Sequence, residues 1–259
     1  MNQIPSMHLV PPPPGASSAP DDPPATATCQ KCEGVEWITV GLTSAPCECR
    51  VARVARERVA GAIEALPARV RGYTREAWIG EWPEKAARLA QWPTVTAGQI
   101  VRPWAIVITG DQPGTGKTHL GTALYLAALP RLANPAAALW VTAADAHRLI
   151  GEEIGGRIAA EKADRAYTGR DTRRALHDAP LLLWDDLGRE GKPTDASVAL
   201  ILSVLMHRHA WALPTILPTN FRDRLGFHAY DPALTSRLSE DTIVISRANL
   251  PDQRTRRTA

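Results

Sequence analysis

The sequence predicts an α/β fold in which about five parallel strands form a doubly wound sheet with helices on both faces. Short apolar runs alternate with segments of helical periodicity, as a parallel sheet requires. A glycine-rich turn follows the first run of the main domain, and a pair of aspartates follows a later one. Ligands of such sheets bind at the carboxyl ends of the strands, which is where both features fall.

The chain is predicted to contain a tail, a cysteine-bearing module, a linker and one main domain. Residues 1–28, rich in proline and alanine, read as a disordered tail without the pattern of a signal peptide. Residues 29–66 form the module and a basic helix, 67–103 a linker packing on the core, and 104–259 the main domain. No apolar run reaches the roughly 18 residues of a transmembrane helix, so we expect a cytoplasmic protein with no membrane partner.

All four cysteines lie close together, in the pairs Cys29/Cys32 and Cys47/Cys49. Two close pairs around a short insert are typical of a structural zinc site with four thiolate ligands. The insert is expected to form a small hairpin that the metal stabilises. Disulfides are disfavoured because nothing marks the chain for export. A catalytic zinc is disfavoured because four thiolates leave no open position for water.

The segment after the cysteines, residues 51–66, has apolar residues on one helical face and arginines on the other, and Pro67 is expected to end it. A helix-prone stretch, residues 84–91, follows in the linker. The linker also carries three tryptophans, which pack it onto the main domain or stack on nucleic-acid bases; packing is the preferred interpretation. They are Trp78, Trp82 and Trp92.

Arginines dominate the basic residues and gather in three groups, within residues 50–75, 157–174 and 254–257. The planar guanidinium binds phosphate well, which favours a nucleic-acid partner. Acids are interspersed among these arginines, so solvated surface helices explain them equally well.

A glycine-rich loop is the strongest functional signal in the sequence. It lies between the apolar run 104–109 and a helix-compatible segment, residues 120–126. Strand, glycine-rich turn, Lys-Thr and helix is the order of a phosphate-binding loop, whose backbone N–H groups converge on phosphate oxygens. The predicted phosphate-binding residues are Gly110, Gly114, Thr115, Gly116, Lys117, Thr118 and His119.

Two residues of this loop have specific predicted roles. Lys117 is expected to reach the β- and γ-phosphates of ATP, and the Thr118 hydroxyl is expected to bind Mg²⁺. One feature departs from the usual pattern, because Asp111 occupies the position of the first glycine and Gly110 stands one residue earlier. This shift predicts a loop that is one residue longer at its start.

Further strands are predicted downstream at residues 138–142, 180–184, 215–218 and 242–245, with long helices at 144–158 and 195–209. Asp185, at the end of its strand, is predicted to bind Mg²⁺, and Asp186 to polarise the attacking water. Such a pair is a weak motif alone and a strong one downstream of the phosphate loop. Asn220 ends the next strand, where it orients the water, contacts the γ-phosphate or simply caps a turn.

Together these motifs resemble the AAA+ ATPases, and among them the DnaC/IstB group of bacterial and phage helicase loaders. The similar strings are residues 113–120, 181–188, 214–221, 234–238 and 250–254. The cysteine cluster, the basic helix and residues 66–69 are similar to the phage and Gram-positive-type members. The likeness extends from Cys29 to Arg254, which is most of the chain.

The resemblance implies roles for three further positions. Asn220 corresponds to the sensor-1 residue, and Arg254 to a sensor-2 residue that contacts the nucleotide. Arg237 corresponds to the arginine finger that completes the site of a neighbouring subunit, with a surface ion pair as the alternative. Many AAA+ enzymes have Glu where this chain has Asp186, and the shorter side chain predicts slow hydrolysis that suits a switch. Few residues follow the last strand, so no helical lid is expected.

The function implied is an ATP-dependent helicase loader that binds the replicative DNA helicase and single-stranded DNA and forms a homo-oligomer on one of them. Its expected cofactors are ATP, Mg²⁺ and Zn²⁺. The alternative within the group is an IstB-like helper of DNA transposition. Two other classes are a small-molecule P-loop kinase, for which no acceptor pocket or lid is evident, and a nucleotide-gated DNA-binding protein without useful hydrolysis.

Overall fold

The structure is a computed structural model that describes residues 29–93, 103–166, 169, 171–188 and 194–253. The predicted tail, residues 1–28, lies outside these ranges. The chain divides into two compact units, one ending at Arg53 and the other beginning at Val54. Within the described ranges, no helix is both long enough and apolar enough to cross a bilayer.

The first unit contains the four cysteines and a two-stranded hairpin. Strand β1 (Trp37–Val40) pairs antiparallel with β2 (Thr43–Pro46), so the insert between the cysteine pairs forms the expected hairpin. Gly41, in the turn, has a φ of 63°, which glycine adopts without a steric penalty. Helix α1 (Glu48–Glu64) starts in this unit, three residues before the predicted helix, and it ends ahead of Pro67.

The main sheet of the second unit has five strands in the order β4-β5-β6-β3-β7, and every neighbouring pair is parallel. The doubly wound parallel sheet predicted from the alternating apolar runs is therefore confirmed. Its strands are β3 (Ala105–Thr109), β4 (Leu139–Thr142), β5 (Leu182–Asp185), β6 (Thr215–Pro218) and β7 (Thr242–Ser246).

Seven more helices belong to the described part of the second unit: α2 (Ala68–Arg71), α3 (Glu84–Ala87), α4 (Lys117–Ala128), α5 (Ala143–Lys162), α6 (Thr172–Asp178), α7 (Asp195–Ala210) and α8 (Pro232–Arg237). Short 3₁₀ turns cover Leu129–Arg131, Pro135–Ala137 and Arg224–Ala229. The helix expected over residues 84–91 ends at Ala87, and the chain continues in turns to Gln91. Helices α6 and α8 are short and have no clear periodicity, which is why the sequence did not predict them.

Alternation along the strands divides the hydrophobic core between the two faces of the sheet. On β3, Val107 packs in a cluster with Trp184 and with Ile201 of α7. The next residue, Ile108, packs on the opposite face with Leu120 of α4. Side chains of a strand alternate in this way, so helices must cover both faces to exclude water.

The linker joins the core on the α4 face. Trp92 is buried there, and its indole nitrogen donates to the Pro103 carbonyl oxygen at 2.8 Å. Trp78 and Trp82 are half-buried against the same cluster and meet edge to face, with ring centroids 5.4 Å apart. All three indoles therefore contribute packing area, whatever else they contact.

Candidate functional site

The glycine-rich loop spans residues 110–116, between the end of β3 and the start of α4. Gly114 and Gly116 have φ values of 72° and 86°, in the region that favours glycine. The presence of glycine at position 110, one residue before the usual place, also has a physical reason. A Cβ on Gly110 would lie 3.0 Å from the carbonyl carbon of Arg247, because the end of β7 passes close to the loop.

Lys117 and Thr118 open helix α4 beneath the loop. Lys117 is buried, and its ammonium group donates to the carbonyl oxygen of Gln112 at 2.9 Å. The Thr118 hydroxyl donates to Asp185 Oδ1 at 3.2 Å, which brings together the two predicted magnesium ligands. Hydroxyl and carboxylate oxygens are ligands that Mg²⁺ accepts, so this pair fits the ion.

Asp185 and Asp186 occupy the end of β5, but their environments differ. Asp185 is only 3% exposed, and burial, followed by repulsion from the Asp186 charge, raises its pKa to about 6. Asp186 leaves the strand with a φ of 62°. Its Oδ1 accepts a hydrogen bond from the Asn220 side-chain amide at 3.3 Å. The two adjacent carboxylates therefore differ: Asp185 is buried, and Asp186 accepts a hydrogen bond from an amide.

Asn220 is positioned by hydrogen bonds from its own segment to the carbonyl oxygen of Leu187. Its N–H donates to the carbonyl oxygen of Leu187 at 2.9 Å, and the Thr219 hydroxyl donates to the same oxygen at 2.8 Å. The bridge between Leu187 and Thr219 extends the pairing of β5 and β6 past the strand ends. The predicted sensor-1 residue therefore lies beside the acidic pair.

A single cavity of about 770 Å³ brings these residues together. Glycine-loop residues, Lys117, Thr118, both aspartates and Asn220 line one part of it, and linker residues, including Tyr73, Ala77 and Trp78, line another. This volume falls within the range of small-molecule sites. The cavity is charged where the strands end and aromatic where the linker crosses.

His119 joins the linker to the loop. Its Nε2 lies 2.8 Å from the Thr74 carbonyl oxygen. Its ring stacks on Tyr73 with the ring centroids 4.7 Å apart, and it meets Trp78 edge to face with the centroids 5.2 Å apart. It lines the cavity, as do the other predicted loop residues except Gly110. The aromatic linker residues and Arg247 were not predicted as site residues. Their contacts depend on the tertiary position of the linker and of β7, for which the sequence carries no local signal.

Arg237 does not join this group. It ends α8 on the surface, where its side chain is 41% exposed and pairs with Glu240 at 3.3 Å. It is not among the residues that line the cavity. Arg254, the predicted sensor-2 residue, lies outside the described residues.

The cysteine cluster is a separate candidate site in the first unit. The sulfur atoms of Cys29 and Cys47 are 3.8 Å apart, those of Cys32 and Cys49 are 3.4 Å apart, and all four lie within 4.8 Å of one another. None of these cysteines forms a disulfide. A zinc–sulfur bond of about 2.3 Å separates tetrahedral sulfurs by about 3.8 Å, so the cluster fits a zinc ion.

Comparisons with known proteins support the fold. No protein-family model matches the sequence, and no curated protein is significantly similar to it. A DnaI structure matches with a TM-score of 0.52 and 19% identity, covering 70% of this chain and 94% of that one. The structure of the DnaC helicase loader matches with a TM-score of 0.50 and 18% identity, covering 70% of this chain and all of the other.

AMPPCP-bound DnaA from Aquifex aeolicus gives a TM-score of 0.48 at 21% identity, and the alignment covers 67% of this chain and 50% of DnaA. The chain therefore spans about half of the length of that protein. The matches to the DnaC and DnaI structures show that this chain has the fold of those proteins. The resemblance inferred from the motifs is confirmed at the level of the fold.

Proposed function

We propose that this chain is an ATP-dependent loader of a replicative DNA helicase and uses ATP binding and hydrolysis as a switch. The observation that carries the proposal is the arrangement of Lys117, Thr118, Asp185 and Asn220 around one cavity of a DnaC-like fold. The DnaC protein whose structure matches is a helicase loader, and the sequence motifs extend that likeness to residues of the site.

The cavity is suited to a nucleoside triphosphate with Mg²⁺. The loop amides and Lys117 bind the phosphate chain, and Thr118 and Asp185 hold the ion. When bound, Mg²⁺ neutralises negative charge that develops on the phosphate oxygens. Asp186, held by the Asn220 amide, orients a water molecule for attack on the γ-phosphate.

Hydrolysis is proposed to depend on assembly. Arg237 lies on the surface outside the cavity, so its own subunit does not supply it to the site described above. A neighbouring subunit that presents Arg237 to the phosphates would complete the charge stabilisation of the transition state. ATP state would thereby be coupled to oligomerisation on the helicase or on DNA.

The cysteine module and the arginines provide the proposed partner contacts. Zinc bound by the four thiolates stabilises the first unit, which is too small to hold a large core of its own. We assign helicase binding to this unit. The arginines of α1 and of residues 157–174 offer guanidinium groups for the phosphates of single-stranded DNA. Differential affinity for ATP and ADP states would drive strand loading and release.

The test combines turnover with capture of the helicase. ATP hydrolysis is measured with and without single-stranded DNA, and the host replicative helicase is used as bait. We expect helicase capture and slow, DNA-stimulated turnover that Lys117→Ala abolishes. Lys85→Ala, which removes an exposed lysine outside the cavity, should leave turnover unchanged.

A variant of the first unit separates the two activities. Cys47→Ser/Cys49→Ser should lose zinc and helicase capture but keep ATP binding. If the wild-type protein binds no ATP, the nucleotide part of the proposal is wrong. If it binds ATP, ignores the helicase and forms filaments on duplex DNA, a transposition helper replaces the loader.

A further inference from the structure

The phosphate loop is held by residues 247–253, the segment that follows strand β7, and Gln253 at its end also lines the cavity. The Arg247 N–H donates to the Thr109 carbonyl oxygen at 2.7 Å, which extends the β3–β7 pairing to the foot of the loop. The Arg247 Nε donates to the Thr115 carbonyl oxygen at 3.0 Å. The Gln253 N–H donates to the Gly114 carbonyl oxygen at 2.8 Å. Two consecutive loop carbonyls are therefore engaged by the same segment.

The Arg247 side chain is itself fixed. It is 9% exposed, and its guanidinium carbon lies 4.9 Å from the centre of the Trp78 ring. The Trp78 indole in turn lies against the loop, because a Cβ on Gly116 would be 2.9 Å from it. A cation held on an aromatic face in a partly dehydrated position loses little further freedom when it donates a hydrogen bond.

These contacts determine where the loop amides point. A trans peptide bond directs its N–H opposite to its carbonyl oxygen. Holding the Gly114 and Thr115 carbonyls against the segment directs the N–H groups of Thr115 and Gly116 the other way. Among the described residues neither N–H makes a hydrogen bond of normal geometry. Amide donors that face away from the segment in this way are what an anion-binding loop must present.

We propose that residues 247–253 preset the phosphate loop, with the Arg247 side chain and the Gln253 backbone amide as its positioning groups. The inference rests on the proposed nucleotide site and adds two groups that position the loop. Without these contacts the two peptide planes rotate, and part of the binding free energy is spent on ordering the loop. The affinity for the diphosphate group falls, whereas the fold is retained.

The first test removes the backbone N–H of residue 253 and leaves the sequence of the loop unchanged. Gln253→Pro deletes the donor to Gly114, and Gln253→Ala keeps that donor while deleting the same side chain. We expect the proline variant to bind ADP about five- to tenfold more weakly than the alanine variant. Isothermal titration calorimetry measures both. Gln253 lies beyond the last strand, so neither substitution interrupts the sheet.

The second test removes the side-chain donor. Arg247→Met should weaken ADP binding about tenfold or more, since a hydrogen bond from a charged group is lost. Arg247→Lys restores a donor and a cation and should recover part of the affinity, which a purely steric role would not produce. Arg88→Met, an exposed arginine of the linker, is the matched control and should bind ADP normally.

The outcomes separate this inference from the proposed function. If wild-type protein fails to bind ADP, the nucleotide site itself is wrong. If wild-type protein binds ADP and the proline and alanine variants bind it equally well, the segment does not preset the loop. The second result holds even if Arg247→Met does not fold, because the Gln253 pair leaves Arg247 intact.

Discussion

Asp186 combines a left-handed backbone conformation with a position at the proposed water site. A φ of 62° is left-handed, and L-residues other than Asn and Asp rarely adopt it. The short carboxylate therefore suits both the backbone and the Asn220 amide that donates to it. This conformation supplies a structural reason for Asp at a position where the resemblance leads one to expect Glu.

We predict that Asp186→Glu does not accelerate hydrolysis and lowers the thermal unfolding midpoint, because the longer side chain is less compatible with positive φ. Asp186→Gly should be at least as stable as wild type, since glycine carries no penalty there. Asp186→Asn should keep the fold and lose turnover. Differential scanning calorimetry and a steady-state ATPase assay measure the series. Faster turnover of Asp186→Glu with an unchanged midpoint would contradict this account.

Asp185, unlike Asp186, is buried, and burial disfavours the charged form of its carboxyl group. Its pKa rises from 3.8 to about 6, which corresponds to roughly 3 kcal/mol of cost to the charged form. This destabilisation is absent below the unfolded-state pKa of about 4. It grows as the pH rises toward the folded-state pKa of about 6 and is complete above pH 7. The group therefore destabilises the ligand-free protein most at neutral and alkaline pH.

Asp185→Asn should accordingly stabilise the ligand-free protein at pH 7.5 by roughly 1–3 kcal/mol, and the gain should shrink toward pH 4.5. With saturating Mg²⁺ and ATP the wild-type protein should become the more stable of the two, because the variant lacks a magnesium ligand. Chemical denaturation across pH, with and without the nucleotide, tests both signs. A variant that is less stable without ligand at pH 7.5 would refute the burial argument.

At the scale of elements, Arg208 joins α7 to its neighbours. It is fully buried, and its guanidinium donates to the Thr215 hydroxyl of β6 and to four backbone carbonyl oxygens at 2.6–3.1 Å. Three of those carbonyls belong to the end of α6 and the residue after it, and the fourth precedes β6. The Arg208 side chain therefore donates to carbonyl oxygens that have no hydrogen-bond donor within the last turn of α6.

Arg208→Met should lower the free energy of unfolding by about 3 kcal/mol or more, because several buried carbonyl oxygens lose their donor. The free energy of unfolding of Arg208→Lys should lie between those of wild type and Arg208→Met, since a single ammonium group cannot reach all the acceptors. Urea denaturation gives the values. The control is Arg88→Met, whose exposed pair with Glu84 contributes little. A loss below 1 kcal/mol in Arg208→Met would show that water replaces the guanidinium.

These elements show which parts of the structure a sequence can predict. Strand β6 is predicted to the residue and α7 to within one, because their apolar patterns are strong and Thr194 supplies a capping box at the start of the helix. The glycine-rich turn between β3 and α4 follows from local spacing alone. Arg208 and Arg247 have no such signal, because only tertiary packing distinguishes a buried guanidinium from the many exposed ones.

At the scale of the whole molecule, the proposal that hydrolysis depends on assembly requires a cation from a neighbouring subunit. Arg237 is exposed on α8 and pairs with Glu240, an arrangement that leaves it accessible to another chain. An arginine supplied in trans typically accelerates phosphoryl transfer by about 10³-fold or more. Arg237→Ala should therefore retain ATP binding, since the cavity is unchanged, while turnover falls by about that factor.

Mixing two inactive variants tests whether Arg237 acts on a neighbouring subunit. Lys117→Ala has no working loop but still presents Arg237, whereas Arg237→Ala keeps the loop and lacks the finger. In a head-to-tail assembly of equal parts, about a quarter of the sites combine an intact loop with an intact neighbouring finger. Turnover of the mixture should then reach roughly that fraction of wild type. Activity no greater than the sum of the separate variants would mean that Arg237 is a surface ion pair.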